Sequence, residues 1–233
     1  MSQAYEALAQ QLGDRFPNAK VVYDARVDEV TVEVAAENLL ESARVLRDDE
    51  ALLFRQLIDL CGVDYLAYGD AEWATVDSTE LGFSRGVDRY DPDSDPDHGS
   101  ATRYAVAYHL LSLDKNLRLR VRVWIPDSEL PVLPSVVEIW PVANWFEREA
   151  FDLFGIHFEN HPDLRRLLTD YGFIGYPFRK DFPLIGNVEV RYNPEKGRVV
   201  YEPVQIEPRT LVPKVIREDQ EHGEIAGGAS QDA

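Results

Sequence analysis

Apolar residues recur at Tyr5, Leu8, Leu12 and Phe16, the spacing of one helical face, and predict a helix from about Ser2 to Phe16. Val21–Tyr23 and Val30–Val34 then alternate in the period of two expected of strands. Leu39, Leu40, Ala43 and Leu46 return to helical spacing, as do Leu52, Leu53, Leu57 and Leu60, so two helices are predicted across the charged break Arg47–Glu50. Tyr104–Leu113 and Leu117–Ile125 read as a β-hairpin turning at Asp114-Lys115-Asn116. On its second strand Arg118, Arg120 and Arg122 alternate with apolar residues, a basic face expected to pair with acids on neighbouring strands rather than to dock a partner.

The densest aromatic stretch follows Pro134. Asn144 with Glu147 three residues on suggests a capping box. A helix from about Trp145 to Phe154 should stop at Gly155, where a left-handed residue is needed. A second short helix is predicted from Pro162, carrying Arg165, Arg166, Leu167 and Leu168. Further on, 188–192 and 199–201 flank the turn-rich Asn193-Pro194-Glu195-Lys196-Gly197, which suggests a hairpin or two extended segments, and prolines at 203, 208 and 213 forbid a continuous helix.

Glu147, Arg148, Glu149 and Asp152 put four charges into less than two helical turns among large aromatics, with Arg148 and Asp152 spaced as an i,i+4 pair. They can serve as caps and ion pairs that fix the helix, or as a carboxylate pair for acid–base work. With no nucleophile or metal set in the pattern, the structural role is favoured. His157 and His161, with Glu159 and Asp163 nearby, invite a zinc site, but Gly155 and Pro162 place both imidazoles on a connecting segment. Hydrogen-bonded histidines at a junction are the expectation.

Composition narrows the classes. The 233 residues carry 45% hydrophobic residues and no apolar run near the roughly 18 that a membrane span requires, so a soluble chain is expected. The N-terminus lacks the pattern of a secretory signal, which points to the cytoplasm. Cys61 is the single cysteine, which excludes an intrachain disulfide and a Cys-ligated iron–sulfur cluster. A net charge of -18 argues against nucleic acid and anionic lipid and favours a protein partner. Gly82 and Gly86 form no phosphate-binding glycine motif. Val87–Ala101, rich in Asp and Pro, reads as an acidic surface insertion without the glycine and terminal glutamate of an EF-hand.

The run Glu147-Arg148-Glu149, two residues, Asp152-Leu153-Phe154, six residues, His161, three residues, Arg165, one residue, Leu167-Leu168 resembles the signature of the C-type subunit family of respiratory complex I (NADH-quinone oxidoreductase). SVVEIWPVANWFEREAFDLFGI and TDYGFIGYPFRKDFPL extend the resemblance from Ser135 to Leu184.

The resemblance implies an α+β fold, a mixed or antiparallel sheet covered by helices on one side, with a long extended C-terminal segment. It implies a core at 1–175 and a partner-wrapping segment at 176–216, while 217–233, acidic and Gly-rich in composition, reads as a disordered tail. It also implies a non-catalytic, cofactor-free component of the enzyme's peripheral arm, with FMN and iron–sulfur clusters in partner subunits. Those partners are chiefly the D-type and B-type subunits and an iron–sulfur subunit, at the cytoplasmic face of the bacterial inner membrane, with the chain joined to the membrane only through the complex. Glu147, Arg148, Glu149, Asp152, His161, Arg165, Arg166, Tyr176, Arg179 and Lys180 are the expected structural and partner-binding positions. Arginine's planar donor fork suits carboxylates on a partner or within the motif, solvated charge being the alternative. Two other readings stay open at this point: a homologous component of a membrane-bound hydrogenase-type complex, and a metal-dependent hydrolase using His157 and His161.

Overall fold

The computed structural model describes residues 2–66 and 103–206. The expectations for the acidic insertion at 87–101, the end of the extended segment at 207–216 and the tail at 217–233 lie outside the described residues. The chain divides into two units at Leu184/Ile185.

The first unit is built on a five-stranded sheet of order β1-β2-β5-β4-β3, with β1 Lys20–Asp24, β2 Glu29–Ala35, β3 Gln56–Asp64, β4 Tyr104–Ser112 and β5 Leu117–Ile125. All neighbours are antiparallel except β2 and β5, so the sheet is mixed. Residues paired across strands share a face, which puts Val30, Val32, Val34, Leu119, Val121, Val123, Tyr108 and Leu110 on one side. That side is the core. Leu8 and Leu12 of α1 (Ser2–Arg15), Leu39, Ala43 and Leu46 of α2 (Leu39–Asp48), and Ala143 and Ala150 of α3 (Ala143–Phe154) close over it. The opposite face carries the basic residues of β5. Arg120 meets Glu29 at 2.5 Å and Arg122 pairs with Glu33, the neighbouring-strand pairing that the alternation predicted.

The helix expected across Leu52, Leu53, Leu57 and Leu60 is instead a tight turn leading into β3. The pairing shifts between Leu57 and Asp59, so Ile58 is an extra residue in the strand. This bulge puts Leu57 and Leu60, three apart, on the same face and imitates helical spacing. Before it, Leu53 adopts a left-handed φ of 52°.

Two short strands, β6 (Val132–Pro134) and β7 (His157–Glu159), pair in parallel and bring the chain before α3 beside the chain after it. The second unit contains the antiparallel hairpin of β8 (Val188–Asn193) and β9 (Arg198–Pro203), the first of the two arrangements that the turn composition suggested. Val188, Val190, Tyr192, Val199, Tyr201 and Pro203 share one face of it by register.

Candidate functional site

Helix α3 carries the charged part of the signature, and its charges face inward. Glu147 and Asp152 are wholly buried and Arg148 nearly so. Buried charge must find partners, and here most of them are backbone groups.

Asp152 lies in the last turn of α3, where the helix dipole disfavours a negative charge. Its Oδ2 accepts the N–H groups of Leu167, Leu168 and Thr169 at 3.0, 2.7 and 2.8 Å. Its Oδ1 accepts the Thr169 hydroxyl and faces Arg166 at 3.5 Å. Burial by itself would push this carboxyl up, yet these donors outweigh it and hold the group below the usual carboxylate range. Arg148 donates from Nε and Nη2 to the carbonyls of Arg165 and Arg166, both at 3.3 Å, and lies over the Trp145 ring at 5.0 Å. The expected i,i+4 pair thus resolves into two separate clamps on one loop. The same bonds explain why no helix forms after Pro162. Its carbonyls and amides are taken by α3 side chains, leaving an irregular loop across 161–170.

Glu147 does not complete a capping box. The N-cap position falls at Val142 with no side-chain bond, and Asn144 lies inside the first turn. Glu147 reaches across to the chain leaving β6, accepting the Ser135 hydroxyl at 2.6 Å and the Val136 N–H at 2.7 Å. Burial outweighs these two bonds and pushes its carboxyl up to about 7. His161 stands beside it with Nε2 4.0 Å from Oε2, both side chains fully buried. The Asp163 N–H points at Nδ1 at 3.0 Å, which assigns the hydrogen to Nε2, donated to the Asn144 carbonyl at 3.1 Å.

Gly155 ends α3 in the left-handed region at φ 75°, as its position predicted. A Cβ there would stand 2.6 Å from Arg179 and 2.7 Å from Tyr176. Arg179 fills that notch, donating from Nε to the Phe154 carbonyl at 2.6 Å and stacking on Tyr176 at 4.4 Å.

Glu147 and His161 therefore share one buried cluster, and Arg148, Asp152 and Arg166 share another. Tyr176 and Arg179 are gathered at the C-cap of α3. Glu149 is half-buried, Arg165 is exposed and paired with Asp163 at 2.8 Å, and Lys180 exposes its side chain while its amide is bonded. His157 is exposed on β7, apart from His161. Among the described residues no group of three or more His, Cys, Asp or Glu is placed to hold a metal. Sequence reasoning missed Ser135 and Thr169, small polar residues with no periodic signal, whose roles come from partners 12 and 17 positions away.

Residues 32–188 match the family described as respiratory-chain NADH dehydrogenase, 30 kDa subunit. The C-type subunit of NADH-quinone oxidoreductase from Hydrogenovibrio crunogenus is 55% identical over 222 residues, covering 95% of this chain and 99% of the relative. The protein of the same name from Methylobacillus flagellatus is 55% identical over 217 residues, covering 93% and 97%. A chain of the membrane-bound sulfane sulfur reductase, an archaeal respiratory membrane complex, shares the fold at a TM-score of 0.50 and 20% identity, covering 77% of this chain and 86% of that one. The family match runs through both the mixed sheet and the buried-charge junction, and the chain belongs to the respiratory-chain NADH dehydrogenase 30 kDa subunit family.

Proposed function

We propose that the chain is a cofactor-free, non-catalytic scaffold of the peripheral arm of NADH-quinone oxidoreductase. In this reading electrons pass from NADH through FMN and iron–sulfur clusters in partner subunits to quinone, coupled to proton translocation. The chain's share is geometric, because electron tunnelling falls steeply with distance and the carriers must be held in fixed relation. Its partners are the D-type and B-type subunits and an iron–sulfur subunit, at the cytoplasmic face of the bacterial inner membrane. Membrane association comes only through the complex; among the described residues no helix is long and apolar enough to cross a bilayer.

The observation that carries this reading is the display of apolar side chains on segments without a core of their own. Leu168, Tyr171, Ile174, Phe178 and Leu184 are exposed on loops next to the buried clamps. In the second unit Val188, Val190, Tyr192, Val199 and Tyr201 are 53–61% exposed on one face of a two-stranded hairpin. Such a hairpin is marginal in water by itself, and an apolar face of this kind marks a contact surface. The long partner-wrapping segment expected at 176–216 takes its docking role from the residues of this hairpin. The 55% identity to two NADH-quinone oxidoreductase components favours this complex over a hydrogenase-type one.

The test is truncation after Leu184, followed by purification of the complex from membranes under mild detergent. The core should stay folded by circular dichroism while the D- and B-type subunits no longer accompany it. Normal assembly and NADH:quinone activity with the truncated chain would overturn the reading.

A further inference from the structure

Residues from Tyr176 to Phe182 form no helix or strand, yet they are held on the first unit by specific bonds. The anchor is a pair that the signature does not contain. Asp64, at the end of β3 with a fully buried side chain, receives Arg103 through two bonds of 2.9 and 2.7 Å. Its carboxylate also accepts the N–H of Leu66 at 3.0 Å and that of Lys180, 116 positions away, at 2.8 Å. Arg103 in turn reaches Asp181 at 3.0 Å. Around this pair, the Phe178 N–H donates to the Leu153 carbonyl at 3.1 Å, and Phe178 packs edge-on against Phe154 with centroids 5.7 Å apart. Arg179 lies between Tyr176, at 4.4 Å, and Tyr104, at 5.2 Å. A buried carboxylate requires its donors, so lifting the segment away strips Asp64 of an amide and Arg103 of a carboxylate.

We propose that Asp64 and Arg103 are positioning residues that fasten residues 176–182 to the core and so fix the point, at Leu184, from which the docking segment departs. This rests on the docking role proposed above. It also assigns Arg179 and the Lys180 backbone a task within the chain, in place of direct contact with a partner.

The test uses the full chain carrying Asp64→Asn, Asp64→Glu or Asp181→Asn. Amide hydrogen exchange is followed in 176–182 and in β4 and β5, alongside recovery of the D-type subunit from membranes. Charged hydrogen bonds of this kind are worth enough that Asp64→Asn should speed exchange in 176–182 by about tenfold or more. The sheet peptides should change far less, and recovery of the complex should fall. Asp64→Glu, which keeps the carboxylate, should restore part of both. Asp181→Asn alters only an exposed partner of Arg103, so it cannot act by unfolding the core, and it should speed exchange in the same segment to a smaller degree. Unchanged exchange in 176–182 for Asp64→Asn and Asp181→Asn overturns the fastening, whatever truncation after Leu184 does. Faster exchange with full assembly overturns the positioning role. If the truncated chain also assembles normally, the docking reading itself has failed.

Discussion

Asp152, in the last turn of α3, accepts both the amide of Thr169 at 2.8 Å and the hydroxyl of the same residue. This pair, 17 positions apart, is one of the contacts by which α3 holds 161–170 as a loop. Asp152→Ala should leave three successive amides without an acceptor and cost about 3 kcal/mol or more, whereas Asp152→Asn, which keeps one oxygen, should cost less. Chemical denaturation of the isolated chain checks the order. Equal losses for the two variants would show that packing, not the acceptor, is what Asp152 supplies.

Glu147 should make stability fall with rising pH. Its folded value of about 7 lies above the ordinary 4.5, so the folded state holds the proton more tightly. The contribution is fully present below pH 4.5 and is lost as pH rises through about 7, roughly 3 kcal/mol at most. Tyr108 on β4, itself pushed well up by burial and by the charge of Glu147, and His161 are the titratable groups that face it. Glu147→Gln should flatten the melting temperature between pH 5 and 8 relative to the wild type. Parallel curves for the two proteins would refute this.

Asp152 and Asp64 act in the opposite sense. Both carboxyls lie below their ordinary value in the folded chain, so their contribution is present above about pH 4 and is lost as pH falls through the folded values. The stability gap between the wild type and Asp152→Asn should therefore be full at neutral pH and narrow as pH drops below about 4. Urea unfolding followed by tryptophan fluorescence at several pH values reads that gap. A gap that stays constant into acid would show that the carboxylate charge contributes nothing.

Gly155→Ala should be costly for two separate reasons. The left-handed backbone disfavours a Cβ by about 1 kcal/mol, and that Cβ also meets Arg179 at 2.6 Å and Tyr176 at 2.7 Å. Thermal melting should therefore show a loss larger than the backbone alone explains, about 2–3 kcal/mol. If Arg179→Ala in the Gly155→Ala background recovers part of that loss, the steric share is real.

Several elements were legible because their information is local. The strands β2 and β5 alternate strictly, α1 and α2 keep one apolar face, and Gly155 stops α3 through its own backbone freedom. Of the two errors, one has a local cause and the other a distant one. One bulged residue, Ile58, disguised β3 as a helix, and a loop with helix-compatible composition was held open by charges on α3.

The sequence by itself determined that this is an α+β chain with one cysteine and a dense charged motif, because period, composition and residue type need no partner to be read. Only the tertiary structure decided what those charges do. Glu147 turns to Ser135, Arg148 to the carbonyls of Arg165 and Arg166, Asp152 to three amides, and Asp64 to Arg103 and Lys180. A buried charge is defined by the groups that replace its water, and here, the Leu66 amide on Asp64 apart, those groups come from segments 11 to 116 positions distant, which no local pattern records.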